Sequence, residues 1–600
     1  MKLSDYVVAF FEKQKVKDIF MVSGGGSMHL VNSFGNSEKI RYWCTHHEQA
    51  AAMAAEGYAK MKNDMCVVLT TSGPGATNAI TGVLDCYQDS IPVVFISGQA
   101  KLKQTVRYSG IQNMRQFGVQ EADIIPIVQS ITKYAVEITE PKRIKYHLEK
   151  AVYEAKNGRP GPVWLSIPLD VQSAEINAEQ LQGFYNEQTK TQNALLAEDD
   201  ILYMMQLLKS AARPVIIGGH GIRIADACGQ LEQFAVQNQI PVVMPIMGID
   251  ILEEESPCNI GRIGTKGTRA GNFAMQNADL IISLGSRLSV SSVGHEYGLF
   301  GREAKVVVVD IDKVEHLKKT IRIDRLICCD VKDFLVKICS FSDEIPSFGE
   351  WLSVCRKWKQ NYPVILPEYE EDVNGINYYK FVDLLNQHLK AETPIVSDAG
   401  SSFYVVAQAV AIKKGQRHIT TGGTATMGFA LPAAVGISAA VPGCNVAVVT
   451  GEGSFMQNLQ EMEVMKYHNM NVKVFVMNNG GYFSIRQTQK KFFKNHFVGE
   501  SIASGLSFTS IEKLAYAFDV KYYKLRYIEA CNHALPEILN EKGPALIEVI
   551  VTEDMEIIPT NASFMRQDGA LVSKPLEDMY PFLPRDEFYD NMLVSPVADR

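Results

Sequence analysis

Short apolar runs rich in β-branched residues alternate with helical patterns along most of this chain. The runs that indicate strands are MCVVLTTSG, IPVVFISGQ, GPVWLSIPLDV, RPVIIGG, LIISLGS, KVVVVDID, CNVAVVTGEGS, VKVFVMNN and ALIEVIV. Strands that are apolar on both faces and separated by helices are typical of parallel sheets covered by helices on both sides. The sequence therefore predicts an α/β protein built from doubly wound parallel sheets.

Two polar stretches divide this series into three units. A chain of 600 residues exceeds the size at which one hydrophobic core keeps growing, about 250–300 residues, so several domains are expected. The breaks fall around residues 174–200 and 340–350. We predict three domains over residues 1–180, 190–345 and 360–550, followed by an irregular, proline-rich tail over residues 551–600.

Composition narrows the classes of partner. The formal net charge of −8 argues against a nucleic acid held by bulk electrostatics. The chain has no apolar run of about 18 residues, so we expect no membrane span. Its scattered cysteines lack paired metal-ligand spacing, and the N-terminal segment has the pattern of a helix start rather than a secretory signal. We therefore expect a cytoplasmic protein with reduced thiols.

Polar residues follow two of the predicted strands in the third unit. Gly451-Glu452-Gly453-Ser454 follows NVAVVT, and Asn478-Asn479-Gly480-Gly481 follows VKVFVM. Ligands bind at the carboxyl ends of strands in open α/β sheets, and a glycine-rich turn into a helix offers backbone N–H groups to a phosphate. A carboxylate, an amide oxygen and a backbone carbonyl beside a phosphate suit Mg²⁺. Either motif alone is commonly ordinary turn chemistry.

The spacing of the two motifs resembles the signature of thiamine-diphosphate enzymes, which is GDG followed about two dozen residues later by NN. Four further segments resemble the acetolactate synthase large subunits of that family: THHEQAAAMAAEGYAK, TSGPGATNAITG, SDAGSS and GGTATMGFALPAAVG. The resemblance covers roughly residues 1–550. It implies a pyrimidine-binding, a central and a diphosphate-binding domain, with thiamine diphosphate and Mg²⁺ as cofactors.

The resemblance also implies catalytic roles for particular residues. Glu48 stands where the family's glutamate hydrogen-bonds the N1′ atom of the aminopyrimidine and so helps its 4′-nitrogen to remove the C2 proton. Met427 stands where an apolar side chain holds the cofactor bent, and Gln120 belongs to a pair that follows a bulky aromatic. In this chain Val119 replaces that aromatic, which changes the shape expected of the substrate pocket.

Metal and cofactor contacts are implied in the same way. The implied magnesium ligands are Glu452, Asn479 and the carbonyl of Gly481, with glutamate in place of the usual aspartate. The other implied cofactor contacts are Gly73, Asn78, Gly400, Ser401, Thr426, Gly453 and Ser454.

The middle unit carries glycine-rich turns of a kind that cradles a dinucleotide. GGHGIR at residues 218–223 and VVVVDID at residues 306–312 resemble a related central domain that holds FAD in some family members and ADP or nothing in others. Such turns also serve tight bends alone. Gly219, Arg287 and Asp310 are the candidate flavin contacts, and the sequence leaves FAD open.

The implied reaction is decarboxylation of a 2-oxo acid, with pyruvate as the expected donor, followed by carboligation to a carbonyl acceptor. Arg486, Lys490 and Lys494 recur at i, i+4 and i+8, so a helix there would present three cations along one face. A solvated basic face is the plain alternative. With the tail segment GALVSKPLEDMYPFLP, this stretch resembles acetolactate-synthase-like proteins of surface-polysaccharide clusters, which implies a keto-sugar nucleotide as acceptor.

Three alternatives remain at the level of sequence. Two are enzymatic, a non-ligating 2-oxo acid decarboxylase and a 2-hydroxyacyl lyase. The third is a catalytically silent regulatory paralogue, supported by Glu452 alone. The resemblance further implies a homodimer or a homotetramer, because two subunits of this family hold the two ends of each cofactor.

Overall fold

A computed structural model describes residues 1–185, 196–371, 374–565 and 571–597. It contains three separate six-stranded sheets, and every pairing of strands within them is parallel. Helices cover the sheets, as the doubly buried strands require. The predicted fold class is therefore confirmed. The predicted start of the central domain at residue 190 lies outside the described residues.

The first sheet has the strand order β2-β1-β3-β4-β6-β5. Its strands are β1 Asp18–Met21, β2 Arg41–Cys44, β3 Cys66–Thr70, β4 Val93–Gln99, β5 Tyr134–Glu137 and β6 Val163–Pro168. The helices of this part are α1 Leu3–Lys13, α2 Met28–Gly35, α3 Glu48–Lys62, α4 Pro74–Asn78, α5 Ile80–Asp89, α6 Val106–Ser109, α7 Ile124–Val128, α8 Ile144–Lys156 and α9 Leu169–Gln172.

The second sheet has the order β12-β11-β10-β7-β8-β9. Its strands are β7 Pro214–Gly218, β8 Val242–Met244, β9 Asn259–Arg262, β10 Leu280–Leu284, β11 Lys305–Asp310 and β12 Arg325–Cys328. The helices are α10 Glu198–Ser210, α11 His220–Ile224, α12 Cys228–Asn238, α13 Arg269–Gln276, α14 Val290–Val293, α15 Val331–Cys339 and α16 Gly349–Asn361.

The third sheet has the order β14-β13-β15-β16-β18-β17. Its strands are β13 Ile395–Ser397, β14 His418–Ile419, β15 Val446–Gly451, β16 Val472–Asn478, β17 Lys521–Leu525 and β18 Ala545–Ile550. The helices are α17 Tyr378–His388, α18 Ser401–Ala409, α19 Ala430–Ala440, α20 Glu452–Phe455, α21 Glu461–Tyr467, α22 Phe483–Phe492, α23 Ile511–Ala517 and α24 Ile528–Asn540.

Helices α3 and α19 join the first and third sheets through small residues. A side chain at Gly57 would lie 2.5 Å from the Ala433 carbonyl oxygen, and one at Gly436 would lie 1.8 Å from the Ala54 carbonyl oxygen. Alanine and glycine therefore let the two helix backbones touch. The alanine-rich sequence of α3 is buried in this contact, which fixes the residues at either end of both helices.

The tail packs on the unit that contains the second sheet, against α13. It contains β19 Thr560–Asn561, β20 Ser563–Met565, β21 Leu571–Ser573, β22 Met579–Tyr580 and α25 Arg585–Asp590. Leu576 and Phe588 belong to the same hydrophobic core as β7 to β12. Glu577 is buried and pairs with Arg302 at 2.7 Å.

The described residues include no helix that is long and apolar enough to cross a membrane.

Candidate active site

Two neighbouring strands of the third sheet bring the GEG and NN motifs together. β15 and β16 pair with Gly451 opposite Met477, so Glu452 and Asn479 both lie just past the carboxyl end of the sheet. Oε1 of Glu452 accepts hydrogen bonds from the backbone N–H groups of Gly481 at 2.8 Å and Asn479 at 3.3 Å. The longer glutamate side chain thus reaches across to the NN turn.

Both side chains are buried. Glu452 is 3% exposed and Asn479 is 5% exposed. Burial raises the pKa of Glu452 to about 7, and the backbone N–H groups only partly offset this. Oδ1 of Asn479 is buried and has no hydrogen-bond partner among the described residues. An unpaired buried polar oxygen is costly, so this oxygen points to a missing donor or cation.

This donor set fits magnesium. The described part of the chain contains no cluster of three or more histidine, cysteine, aspartate or glutamate side chains that could enclose a metal by itself. One carboxylate and one amide oxygen are enough for Mg²⁺ when phosphate oxygens and water complete its shell.

Glycines and helix starts surround the same place. A side chain at Gly453 would lie 2.0 Å from the ring of Tyr482, so only glycine fits this turn. Ser454 is buried in the first turn of α20. Gly400 has φ +66° and precedes Ser401, the first residue of α18. A side chain at Gly400 would point towards Ser484, whose buried Oγ lacks a hydrogen-bond partner among the described residues.

Sequence reasoning missed Asp398, which ties this region together. Its carboxylate accepts hydrogen bonds from the N–H groups of Ala399, Gly428 and Ala430 and from Oγ1 of Thr450. Asp398 therefore links the end of β13 to the start of α19 and to β15. The motif SDAGSS contained the residue, but no local pattern indicated these distant partners.

Glu48 begins α3 in the first unit. His47 caps the helix by accepting the N–H of Gln49 at 3.1 Å, which places Glu48 in the first turn. Oε2 of Glu48 accepts a hydrogen bond from Nδ2 of Asn78 at 3.0 Å, and a side chain at Gly75 would lie 3.1 Å from Oε1. Two predicted site residues, Glu48 and Asn78, are therefore in direct contact.

Gly73 and Gln120 also meet, through their backbones. Gly73 has φ +57°, and a side chain there would lie 2.4 Å from the Gln120 carbonyl oxygen. Gln120 is exposed, with φ +55°, in a loop that buried Glu121 anchors by accepting the N–H groups of Phe117 and Gly118. Val119 is 87% exposed on that loop.

Thr426 and Met427 lie in the segment between β14 and α19. Met427 is half-buried, with its Sδ atom 3.6 Å from Nε2 of Gln457, next to the GEG helix α20. Thr426 donates through Oγ1 to Asp85 of α5 at 2.7 Å. The hydroxyl of Thr426 is therefore held by the first unit.

A cleft of about 750 Å³ crosses the carboxyl ends of the central strands. Arg287 and Asp310 line it, together with Gly221 and Arg159. Gly219 lies beside it at the end of β7, where a side chain would lie 2.2 Å from the Gly285 carbonyl oxygen. Asp310 accepts the N–H of Asp312 at 2.9 Å. The three candidate flavin residues thus belong to one region.

The prediction of three cations along one helix face is wrong. Helix α22 ends at Phe492, and Lys494 follows it with φ +52°. Arg486 is buried, pairs with Glu500 at 2.8 Å and donates to the Asn479 and Gly480 carbonyl oxygens. Lys490 pairs with Asp554 at 2.5 Å. Arg486 therefore supports the NN turn instead of facing a substrate.

Three family models match the chain in order. They are the N-terminal TPP binding domain of the thiamine pyrophosphate enzymes over residues 1–131, the central domain over 201–338 and the C-terminal TPP binding domain over 398–549.

Curated relatives match over nearly the whole length. The chain is 32% identical over 569 residues to the acetolactate synthase large subunit of Lactococcus lactis subsp. lactis, covering 94% of this chain and 95% of the relative. It is 29% identical to the acetolactate synthase isozyme 1 large subunit of Escherichia coli, covering 93% and 95%. It is 30% identical to the probable acetolactate synthase large subunit of Methanocaldococcus jannaschii, covering 93% and 94%.

The fold, the paired motifs and these similarities agree. The chain belongs to the thiamine pyrophosphate enzyme family, in its acetolactate synthase large-subunit group, and it is a thiamine-diphosphate-dependent transferase that couples decarboxylation of a 2-oxo acid to carboligation.

Proposed function

We propose that the chain takes pyruvate as donor, with the cofactor's diphosphate held at the carboxyl ends of β15 and β16 and its pyrimidine held near Glu48. One observation carries the location: the buried Oδ1 of Asn479 has no hydrogen-bond partner among the described residues, and the backbone N–H of the same residue binds the buried carboxylate of Glu452. When bound, thiamine diphosphate supplies the electron sink for decarboxylation, and the protein supplies orientation and electrostatics.

For the metal, we propose Mg²⁺ held by Glu452, Asn479 Oδ1 and the Gly481 carbonyl. Backbone N–H groups already fix one oxygen of Glu452, so the other oxygen is the one offered to a cation. Gly400, Ser401, Gly453 and Ser454 would contact the diphosphate at the starts of α18 and α20, where helix N-termini favour anions.

For proton transfer, we propose Glu48 as the partner of the aminopyrimidine. Asn78 donates to one oxygen of Glu48, which leaves the other oxygen for the ring nitrogen. Met427 would support the bent cofactor, and Gln120, exposed on the loop beside Gly73, would contact substrate.

For the central cleft, we propose a dinucleotide ligand of the FAD type. The volume of the cleft is within the range of ligand sites, about 300–1,000 Å³. The cleft lies past the carboxyl ends of β7, β10 and β11, where nucleotides bind in such sheets. A flavin absorbance band in the purified protein would support FAD. If the purified protein shows no flavin band and contains about one ADP per chain, ADP is the ligand instead of FAD.

For assembly, we propose a homodimer or a homotetramer. Within one chain, the Glu48 carboxylate accepts a hydrogen bond from Asn78 of its own first unit, whereas the GEG and NN motifs belong to the third unit. Light scattering tests the assembly, and an active, strictly monomeric protein would overturn it.

For the acceptor, we propose a bulky anionic carbonyl compound, with a keto-sugar nucleotide as the test substrate. What supports it is a pair of exposed lysines, Lys491 in the last turn of α22 and Lys494 just past the helix. A double Lys491→Ala, Lys494→Ala variant should raise KM for the sugar nucleotide and leave CO₂ release from pyruvate unchanged.

The deciding experiment measures binding of thiamine diphosphate with Mg²⁺ by calorimetry, then CO₂ release from pyruvate and the products. If acetolactate forms efficiently, and equally fast in the lysine variant, the acceptor is a second pyruvate. Acetaldehyde alone would favour the non-ligating decarboxylase, and binding without any turnover would favour the silent paralogue. Cleavage of a 2-hydroxyacyl substrate would favour the lyase.

A further inference from the structure

The segment Thr420–Met427 connects β14 to α19 and is called here the 420–427 loop. It carries Thr426 and Met427, two of the proposed cofactor contacts. Ala425, between Thr424 and Thr426, has φ +51°. Residues other than glycine rarely adopt this backbone conformation unless the surrounding structure holds them in it. The loop therefore needs partners that hold it in this shape.

Helix α5 of the first unit supplies two of those partners, one turn apart. Oδ1 of Asp85 accepts hydrogen bonds from Oγ1 of Thr424 at 2.5 Å and Oγ1 of Thr426 at 2.7 Å. The two oxygens of Asp89 accept the N–H groups of Gly422 at 2.9 Å and Gly423 at 2.8 Å. Two carboxylates thus hold four polar groups of the loop between residues 422 and 426.

Lys60 of α3 completes the arrangement. Its Nζ atom donates to Oδ2 of Asp89 at 2.8 Å and to the Thr420 carbonyl oxygen at 2.6 Å, and it pairs with Glu56 at 2.6 Å. The side chains of Lys60, Glu56 and Asp89 are at most 4% exposed. Burying such charges is expensive, so the cluster is weak evidence for added stability. Its contacts link α3, α5 and the loop to one another.

Two glycines of the loop lie in close contact with neighbouring side chains. A side chain at Gly422 would lie 2.1 Å from Met247, and a side chain at Gly423 would lie 2.6 Å from Gln88. The loop backbone is therefore pressed between the central unit and α5 while the carboxylates hold its N–H groups.

We propose that Asp85, Asp89 and Lys60 are positioning residues that fix the place of Met427 and Thr426, which would contact the cofactor. The inference rests on the proposed cofactor role of Met427. A displacement of about 1 Å at a positioning group can cost 10²-fold in rate. We expect Asp85→Ala to slow C2 proton exchange of bound thiamine diphosphate by 10- to 100-fold.

The test separates positioning from simple stabilisation. Asp18→Ala is the matched control, because Asp18 is also a buried aspartate of the first unit and accepts from Arg41, Trp43 and Tyr58. Both alanine variants should lower the melting temperature. Only Asp85→Ala should raise amide hydrogen exchange in residues 420–427 of the cofactor-free protein and slow C2 exchange. Asp85→Asn keeps an acceptor oxygen and should stay within threefold of wild type.

A second variant approaches the same bonds from the loop. Thr424→Val removes one donor to Asp85, and its effect on C2 exchange should be less than additive with Asp85→Ala. If Asp85→Ala melts earlier but leaves loop exchange and C2 exchange within twofold of wild type, the positioning role is overturned. If wild-type protein binds no thiamine diphosphate, the proposed function itself fails, and the hydrogen-exchange result alone then tests the loop contacts.

Discussion

Replacing Glu48 by glutamine tests the proposed proton partner with almost no change in shape. A glutamine can still accept from Asn78 Nδ2, now 3.0 Å from Oε2 of Glu48, if its amide oxygen turns towards Asn78. Its NH₂ group then faces the cofactor, where it can donate a hydrogen bond but cannot share a proton. Cofactor binding should survive while proton transfer fails.

The expected magnitudes follow from these contacts. General acid–base groups contribute about 10²–10⁴-fold, which is about 2.7–5.5 kcal/mol of activation free energy. The free energy of unfolding should fall by only about 1 kcal/mol, because a charge-assisted hydrogen bond becomes a neutral one. For a domain of this size that is a shift of about 2–4 °C in melting temperature.

The assay pairs calorimetry of thiamine diphosphate with C2 proton exchange and CO₂ release from pyruvate. Glu137→Gln is the control, since Glu137 is a buried glutamate of the first sheet whose pKa burial raises to about 7. What matches it to Glu48, a helix residue, is burial within the same first unit. That control should keep wild-type exchange and turnover. Turnover of Glu48→Gln within threefold of wild type would remove Glu48 from the mechanism.

Three further results are expected. Glu452→Ala should abolish Mg²⁺-dependent cofactor binding whereas Glu452→Asp keeps it, and unchanged affinity in the alanine variant would make the GEG turn merely structural. Lys60→Met should lower the free energy of unfolding by about 3–5 kcal/mol, because the buried carboxylate of Asp89 loses its cation. A loss below about 1 kcal/mol in denaturant titration would contradict the ion pair. Burial lowers the pKa of His220 and His418 to about 4, below the usual 6.5. Their contribution to stability is therefore present above pH 6.5 and lost as pH falls towards 4. His418→Gln should make the melting temperature depend less on pH over that interval. Equal pH dependence of the melting temperature in mutant and wild type would refute the assignment.

The sequence predicted what depends on local pattern. Strands apolar on both faces required covered parallel sheets, and motifs at the ends of neighbouring strands had to meet, as Glu452 and Asn479 do. Long-range pairings left no such trace. In the sequence, Asp85 looks like any charged residue of a helix, because its hydrogen-bond partner Thr426 is 341 positions away. The spacing of Arg486 with the following lysines indicated an exposed helix face, but its side chain is buried and pairs with Glu500.

Spacing alone also misjudged where α22 ends. An i+8 pattern assumes that the helix continues, yet Lys494 and Asn495 both have positive φ, which ends the helix before the third cation. The sequence did not indicate which surface the tail packs on, because its apolar residues follow no regular helix or strand spacing and their burial depends on a surface that the central unit provides.

That docking of the tail has a consequence for the order in which the molecule is completed during synthesis. Domains generally fold from the N-terminus as the chain emerges from the ribosome. Here the central core contains Phe588, whose ring lies 6.4 Å from that of Phe273, and Leu576. Because the tail follows the third sheet in the chain, the ribosome must synthesise the third unit before the core of the central unit can be completed. A central fragment that ends after α16, at residue 362, would still lack Phe588 and expose apolar surface at Phe273. The part of the protein that starts folding second is the last to finish.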